Sequence, residues 1–310
     1  MESYSTSHVI EKNGTLFIRD VTKLDCAVFD RSLGIVGHSW HLDVTINGAL
    51  DENNFVYDFS ELKSMVRTVM KGSVDHALLI PVMSQFVHFT DTPEGENWRL
   101  AVKSRAALPA SEWRYTCPKG AVYPIRSVAI SAAVIEQELA RLLRHRLPSS
   151  ILKISVKLRT EAAEPTAAFF RYTHGLAGHA GLCQRLFHGH RSRIEVVFGE
   201  ERRPDLEHYV AREVLGGIVH IATPSQIKSG NIEIGMRGKP GDTVQLTYSG
   251  TLGKYEAIIP AEKVFVVEEE TSIESIAQQF VRMLAASEQP HETIRVQVFE
   301  GIDKGAIAER

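Results

Sequence analysis

His188-Gly-His190-Arg-Ser-Arg-Ile-Glu-Val-Val-Phe198 carries a polar–apolar alternation at Arg193-Ile-Glu-Val196, as a strand with one buried face does. Residues two apart on a strand project from the same face, so His188 and His190 can meet on one metal ion. The earlier run Ala167–His174 also reads as a strand. If the two pair as a hairpin, His174 supplies a third imidazole. Three protein ligands with an open fourth position describe a catalytic zinc centre better than a structural one. Cys183 falls in the connection, where a thiol can reach that position. His179 competes with His174 for third place, but it lies within the loop.

The stretch has a counterpart. Gly34–Ile46 is a strand containing His38, closed by the turn signal Asn47-Gly48. Asp58 caps a helix whose apolar positions Phe59, Leu62, Met65, Val66 and Val69 follow helical spacing, with Glu61 completing a capping box. Val74-Asp75-His76 comes next and leads to Pro81. Strand-like runs at 85–90, 98–103 and 112–117 follow, then an amphipathic helix from Ser131 to His145 and a strand over Ile151–Leu158. After His190 the order repeats. A helix opens at Pro204-Asp205 and ends at Gly216-Gly217. Val219-His220 mirrors Asp75-His76, and strand-like runs stand at 232–236, 244–248 and 255–259. A helix from Ser272 to Ala285 and a strand at 294–300 complete the series. A period of roughly 150 residues denotes a duplicated domain, not a solenoid. The polar, Pro-interrupted stretch 161–167 is the linker, dividing the chain into 1–163 and 164–310.

Bulk properties narrow the function. A net charge of -3 without a basic block argues against nucleic-acid binding. No apolar run approaches the ~18 residues of a membrane span. Residues 1–8 lack the basic and apolar regions of a secretory signal, and three cysteines are too sparse for a disulfide framework. A cytoplasmic chain with free thiols is expected.

Single residues admit two readings each. Cys183 is either an inert thiol or, beside zinc, Arg185 and Arg191, a thiolate. Asp75-His76 is either a solvated pair or an acid/base pair whose carboxylate orients the imidazole. Glu161 and Glu300 end strands late in each half. Such carboxylates are normally solvated, but in a pocket they would accept the paired N–H groups of a guanine or pterin ring. The first half has no histidine near Val21 to match His174, and Cys26 is not placed like Cys183. Each half therefore holds a different part of one site.

These marks resemble the 6-pyruvoyl-tetrahydropterin synthase / 6-carboxy-tetrahydropterin synthase family. They are Phe170-x-x-x-His174, Cys183 with His188-Gly-His190, Tyr57-Asp58-Phe-x-x-Leu-Lys63, Val74-Asp75-His76, Thr271-Ser-x-Glu274-x-x-Ala277 and Val296-x-Val-x-Glu300. The resemblance implies an α+β fold of two tandem tunnelling-fold (T-fold) units, antiparallel sheets with helices on one side. The units would assemble into a barrel with sites at their interfaces, which makes a homo-oligomer the expected state. It implies Zn²⁺ on His174, His188 and His190, with Cys183, Asp75 and His76 as catalytic groups. Glu300 or Glu161 would anchor the ring, and Arg191, Arg185 and Arg193 would be phosphate partners, with at least one of them explained instead by surface charge. The implied substrate is 7,8-dihydroneopterin triphosphate, with the 6-carboxy branch of the deazaguanine (queuosine) route first. A 6-pyruvoyl product, or a non-catalytic pterin-binding scaffold, is the alternative.

Overall fold

The computed structural model describes residues 12–92, 95, 97–103, 112–288 and 292–310. Residues 1–8, which carry the signal-peptide reading, lie outside them. The first half runs β1 (Asn13–Asp30), β2 (Gly34–Ala49), α1 (Phe59–Lys71), β3 (Leu78–Pro81), β4 (Val87–Asp91), β5 (Asn97–Lys103), β6 (Glu112–Pro118), β7 (Val122–Ile125), α2 (Ala132–Arg144) and β8 (Ile151–Arg159). The second half runs β9 (Ala168–His174), β10 (His188–Phe198), β11 (Glu201–Arg202), α3 (Pro204–His208), β12 (Ile218–Ala222), β13 (Ile227–Ser229), β14 (Thr243–Gly250) and β15 (Gly253–Pro260). It closes with β16 (Val264–Val266), α4 (Ile273–Glu288), β17 (Ile294–Phe299) and β18 (Gly305–Glu309).

Strand order in the first sheet is β7-β3-β1-β2-β8, and in the second β16-β12-β9-β10-β17-β18. Up to β17 the two orders correspond strand for strand. The long hairpins and β8 or β17 are antiparallel, whereas β3 and β7, like β12 and β16, pair in parallel. The fold is α+β.

One face of each sheet carries its helices. In α1 the buried positions Leu62, Val66 and Met70 follow one another at four-residue spacing, and α2 buries Ile135, Leu139 and Leu143. Full burial of each such side chain contributes about 1.5–3 kcal/mol. Asp58 accepts from the Ser60 and Glu61 amides, satisfying donors that the first turn would leave orphaned. The second-half helix begins differently. Pro204 stands at its first position, the Arg203 side chain at the cap accepts from no amide of the first turn, and α3 continues as a π-helix over Tyr209–Val214.

The opposite faces meet a third sheet, ordered β13-β14-β15-β6-β5-β4. The segments that follow α1 and α3 thus pair with each other, through Glu256↔Thr116, Ala257↔Tyr115 and Ile258↔Arg114. Their apolar side chains form a core shared by both halves, which includes Ala27, Phe29, Tyr115, Leu186, Phe187 and Leu246. Two expected elements change. Asn47-Gly48 is not a turn, because β2 runs on to Ala49 against β8 with an irregularity there. The run 232–236 forms no strand; Gly235, at φ +80°, breaks it, and the edge strand is β13 instead.

Where the halves cross, β2 lies directly on β9 and β10. A Cβ on Gly37 would stand 2.6 Å from the His190 amide nitrogen and overlap the Tyr172 carbonyl oxygen. Only glycine permits that approach, and it sets the first half against the histidine-bearing strands.

Candidate metal and catalytic site

β9 and β10 pair with His188 opposite His174 and His190 opposite Tyr172. All three imidazoles share a face, with ring centroids 4.2, 5.4 and 5.2 Å apart, and all are fully buried. Each Nδ1 faces an acceptor: the Thr271 carbonyl at 2.7 Å for His174, the Arg185 carbonyl at 3.1 Å for His188, and Asp25 Oδ1 at 3.3 Å for His190. Acceptors at Nδ1 select the tautomer that leaves the Nε2 lone pair free. All three Nε2 atoms are buried without a hydrogen-bond partner among the described residues. Together with a Glu300 oxygen they lie within 4.8 Å of one another. Burial and neighbouring imidazoles hold His174 and His188 far below the usual histidine range, so both are neutral, the form a metal requires. Orphaned, convergent nitrogens, two of them on rings held neutral, fit a zinc ion.

Beside this cluster the two halves supply a second group. His76 stacks on His188 at 5.3 Å between centroids, and its Nδ1 lies 3.1 Å from Asp75 Oδ1 as an ion pair. Cys183 lies close enough to the same ring to act on its charge. Burial opposes the imidazolium, but Asp75 and Cys183 outweigh it and push His76 up to about 10. His76 holds φ +53° and Phe187, just before His188, φ +68°. Left-handed backbone at non-glycine residues costs of order 1–3 kcal/mol and concentrates at functional sites.

Cys183 rides a single 3₁₀ turn, Leu182–Gln184, in the loop between β9 and β10. The third sheet braces that loop. Tyr115 donates to the Leu186 carbonyl at 2.9 Å, Tyr248 donates to the Gln184 carbonyl, and Gln184 donates to Thr251 at 2.8 Å. The strands that follow α1 and α3 therefore hold the cysteine in place.

Other candidates fall elsewhere. His179 is exposed, accepting from the Gly181 amide, and takes no part in the cluster. Glu161 pairs with Arg193 at 2.9 Å and approaches Arg191 at 4.0 Å. By strand register Thr160, not Glu161, matches Glu300. Arg191 follows His190 on β10, so it projects from the reverse face, where it stacks on Phe169 at 3.4 Å. Arg193 lies over Phe299, and Arg185 donates to the Asp75 carbonyl at 3.1 Å. The first-half partner of His174 is Val28 by register, not a residue near Val21.

Three residues escaped the sequence reading. Asp25 faces His190, Ser39 donates to Asp25 at 2.5 Å, and Lys304 lies 3.3 Å from Asp25. Extending β1 past Asp20 would have placed Asp25 opposite Ser39, beside the pair formed by Cys26 and His38.

A family model described as 6-pyruvoyl tetrahydropterin synthase matches residues 2–158. The chain belongs to the 6-pyruvoyl tetrahydropterin synthase family. The matched residues include Asp75 and His76, whereas Cys183 and the three clustered histidines follow them. Solved structures of this synthase are similar to about half the chain. That of Plasmodium vivax is 20% identical over 50% of this chain and 95% of its own, with a TM-score of 0.40. A catalytic-residue mutant of the same enzyme is 21% identical over 48% and 92%, at 0.39. The Plasmodium falciparum synthase is 19% identical over 47% and 90%, at 0.38. No curated protein is significantly similar to the chain. Among the described residues no helix is long and apolar enough to cross a membrane.

Proposed function

We propose that the chain is a zinc-dependent pterin synthase acting on 7,8-dihydroneopterin triphosphate with loss of triphosphate. It would be built as two tandem T-fold units, 1–163 and 164–310, that share one working site. The observation that carries this reading is the meeting of Cys183 from one half with His76 and Asp75 from the other, beside three convergent imidazole nitrogens. Membership of the synthase family supports it.

His174, His188 and His190 would hold Zn²⁺, which supplies Lewis-acid polarisation of the side-chain hydroxyls and stabilises the charge that develops on them. The remaining work belongs to the protein. Cys183 exchanges a proton with the substrate side chain, and His76 relays it. Asp75, 3.1 Å away, keeps the imidazole oriented and stabilises its charged form. Glu300 stands at the rim of the cluster and anchors the pterin ring through its paired N–H groups. Glu161 and Arg191, tied together on the reverse face, have no part in this step.

The product favoured is 6-carboxy-5,6,7,8-tetrahydropterin, on the deazaguanine route, with the 6-pyruvoyl compound as the alternative. A cytoplasmic homo-oligomer closing a barrel would be the working form. Incubation of the zinc-loaded protein with 7,8-dihydroneopterin triphosphate, followed by mass analysis, tests the reading and separates the two products. Absence of any turnover by the loaded protein overturns it.

A further inference from the structure

Glu300 stands closer to the metal cluster than a ring anchor needs to. Its Oε1 lies 3.6 Å from His190 Nε2. That is too long for a hydrogen bond. It does match the separation of two ligands on one tetrahedral zinc, about 3.3 Å when bonds are about 2.0–2.1 Å. All four donor atoms already lie within 4.8 Å of one another.

We propose that Glu300 is a displaceable fourth ligand, closing the metal shell in the substrate-free protein and leaving it when a heterocycle with paired N–H donors arrives. The local fold suits both positions. Glu300 leaves β17 at a turn pinned by the Glu300 amide to the Lys304 carbonyl at 2.9 Å and the Gly301 amide to Ser192 at 3.1 Å. The backbone is therefore fixed and only the side chain can swing. Glu300 Oε2 lies 3.9 Å from Lys304 Nζ, which also reaches Asp25, so one oxygen is held by a cation while the other faces the histidines. The Glu300 side chain is 19% exposed against 0% for His190, making it the member of the cluster that an incoming ligand meets first. A carboxylate that turns both oxygens toward the parallel N–H groups of a ring edge keeps lone pairs, but presents that face to the ring and away from the histidine nitrogens. Ring binding and shell closure therefore exclude each other, and the arriving ring opens the coordination position that the substrate's hydroxyls need. The exchange rests on the pterin reading above; the ligation does not.

Two measurements test this without turnover. Chelator competition gives the zinc affinity of the wild type, of Glu300→Gln and of Glu161→Gln as a control. Visible absorption of the cobalt-substituted protein reports the coordination shell before and after addition of 7,8-dihydroneopterin. Glu300→Gln should bind zinc at least about 10-fold more weakly while Glu161→Gln does not. Dihydroneopterin should move the wild-type cobalt spectrum toward that of Glu300→Gln. Circular dichroism melting of metal-free Glu300→Gln at the wild-type temperature shows that the loss is not one of folding. Equal zinc affinity in wild type and Glu300→Gln overturns the ligation. Weakened affinity with a cobalt spectrum unmoved by dihydroneopterin overturns the exchange and counts against the pterin reading, while the fourth ligand stands.

Discussion

Asp25 Oδ1 in the first half lies 3.3 Å from Nδ1 of His190 in the second. Arg171 occupies in β9 the register position that Asp25 occupies in β1, and its guanidinium lies 2.8 Å from Nδ1 of His38. The two contacts are mirror images with opposite charge. A carboxylate beside Nδ1 favours a proton on that nitrogen and leaves Nε2 free for a metal. A guanidinium can only donate, so His38 must accept at Nδ1 and carry its proton at Nε2. Burial, with Arg171 and Arg191 nearby, pushes His38 down to about 3, which keeps the ring neutral in that unsuitable tautomer. With Val28 and Val36 where the second half has His174 and His188, the first half has no matching histidine cluster among the described residues.

Asp25→Asn should therefore weaken zinc binding although Asp25 is not itself a ligand. Carboxylates behind metal-bound histidines are worth about 10–100-fold in affinity. Chelator competition measures the change, and unaltered affinity would remove Asp25 from the account.

The three cysteines should differ sharply toward iodoacetamide. Cys26 and Cys117 are buried, and burial pushes the Cys117 thiol up to about 12. Cys183 is partly exposed beside the His76 imidazole. Peptide mapping after limited alkylation should find label on Cys183 first, with activity falling in step. Label on Cys117 at a comparable rate contradicts the placement.

His76→Ala and Asp75→Asn should lower kcat by about 10²–10⁴-fold, the range of general acid–base catalysis, with bound zinc unchanged. Metal analysis beside steady-state kinetics separates this from damage to the histidine cluster. A variant that loses zinc along with activity would assign these residues a structural role.

Stability toward acid should depend on Asp43. Hydrogen bonds from Arg159, and then from the Asp20 amide and Arg19, hold its carboxyl down at about 2 against the opposing effect of burial. A depressed carboxylate contributes stability fully above its unfolded pKa of about 3.9, and that contribution drains away as pH falls toward 2. Asp43→Asn should be less stable than wild type at pH 5 and nearly equal to it near pH 2. Thermal melts across that range check the convergence.

The histidine hairpin was legible because β10 buries one face from His190 onward and so writes alternation into Arg193-Ile-Glu-Val196. The capped helices α1 and α2 were legible for a similar reason, since Asp58 and Ser131 mark their starts. Asp25 was not. Past Leu24, β1 is covered on both faces, by its helices and by the third sheet, so Cys26-Ala-Val-Phe29 carries no alternation. The third sheet was hidden more deeply, because β6 and β15 pair across some 140 residues and no local signal encodes a partner that distant. Glu300 was found, but its closeness to His190 depends on a turn geometry that spacing does not reveal.

One composite centre per chain is the central claim, and the zinc content of the purified full-length protein tests it most directly. Elemental analysis after zinc loading and removal of loosely held metal should give one zinc per 310-residue chain, falling to none in His188→Ala and remaining at one in His38→Ala. Two zinc ions per chain, or a stoichiometry that falls in His38→Ala and survives in His188→Ala, would contradict the account.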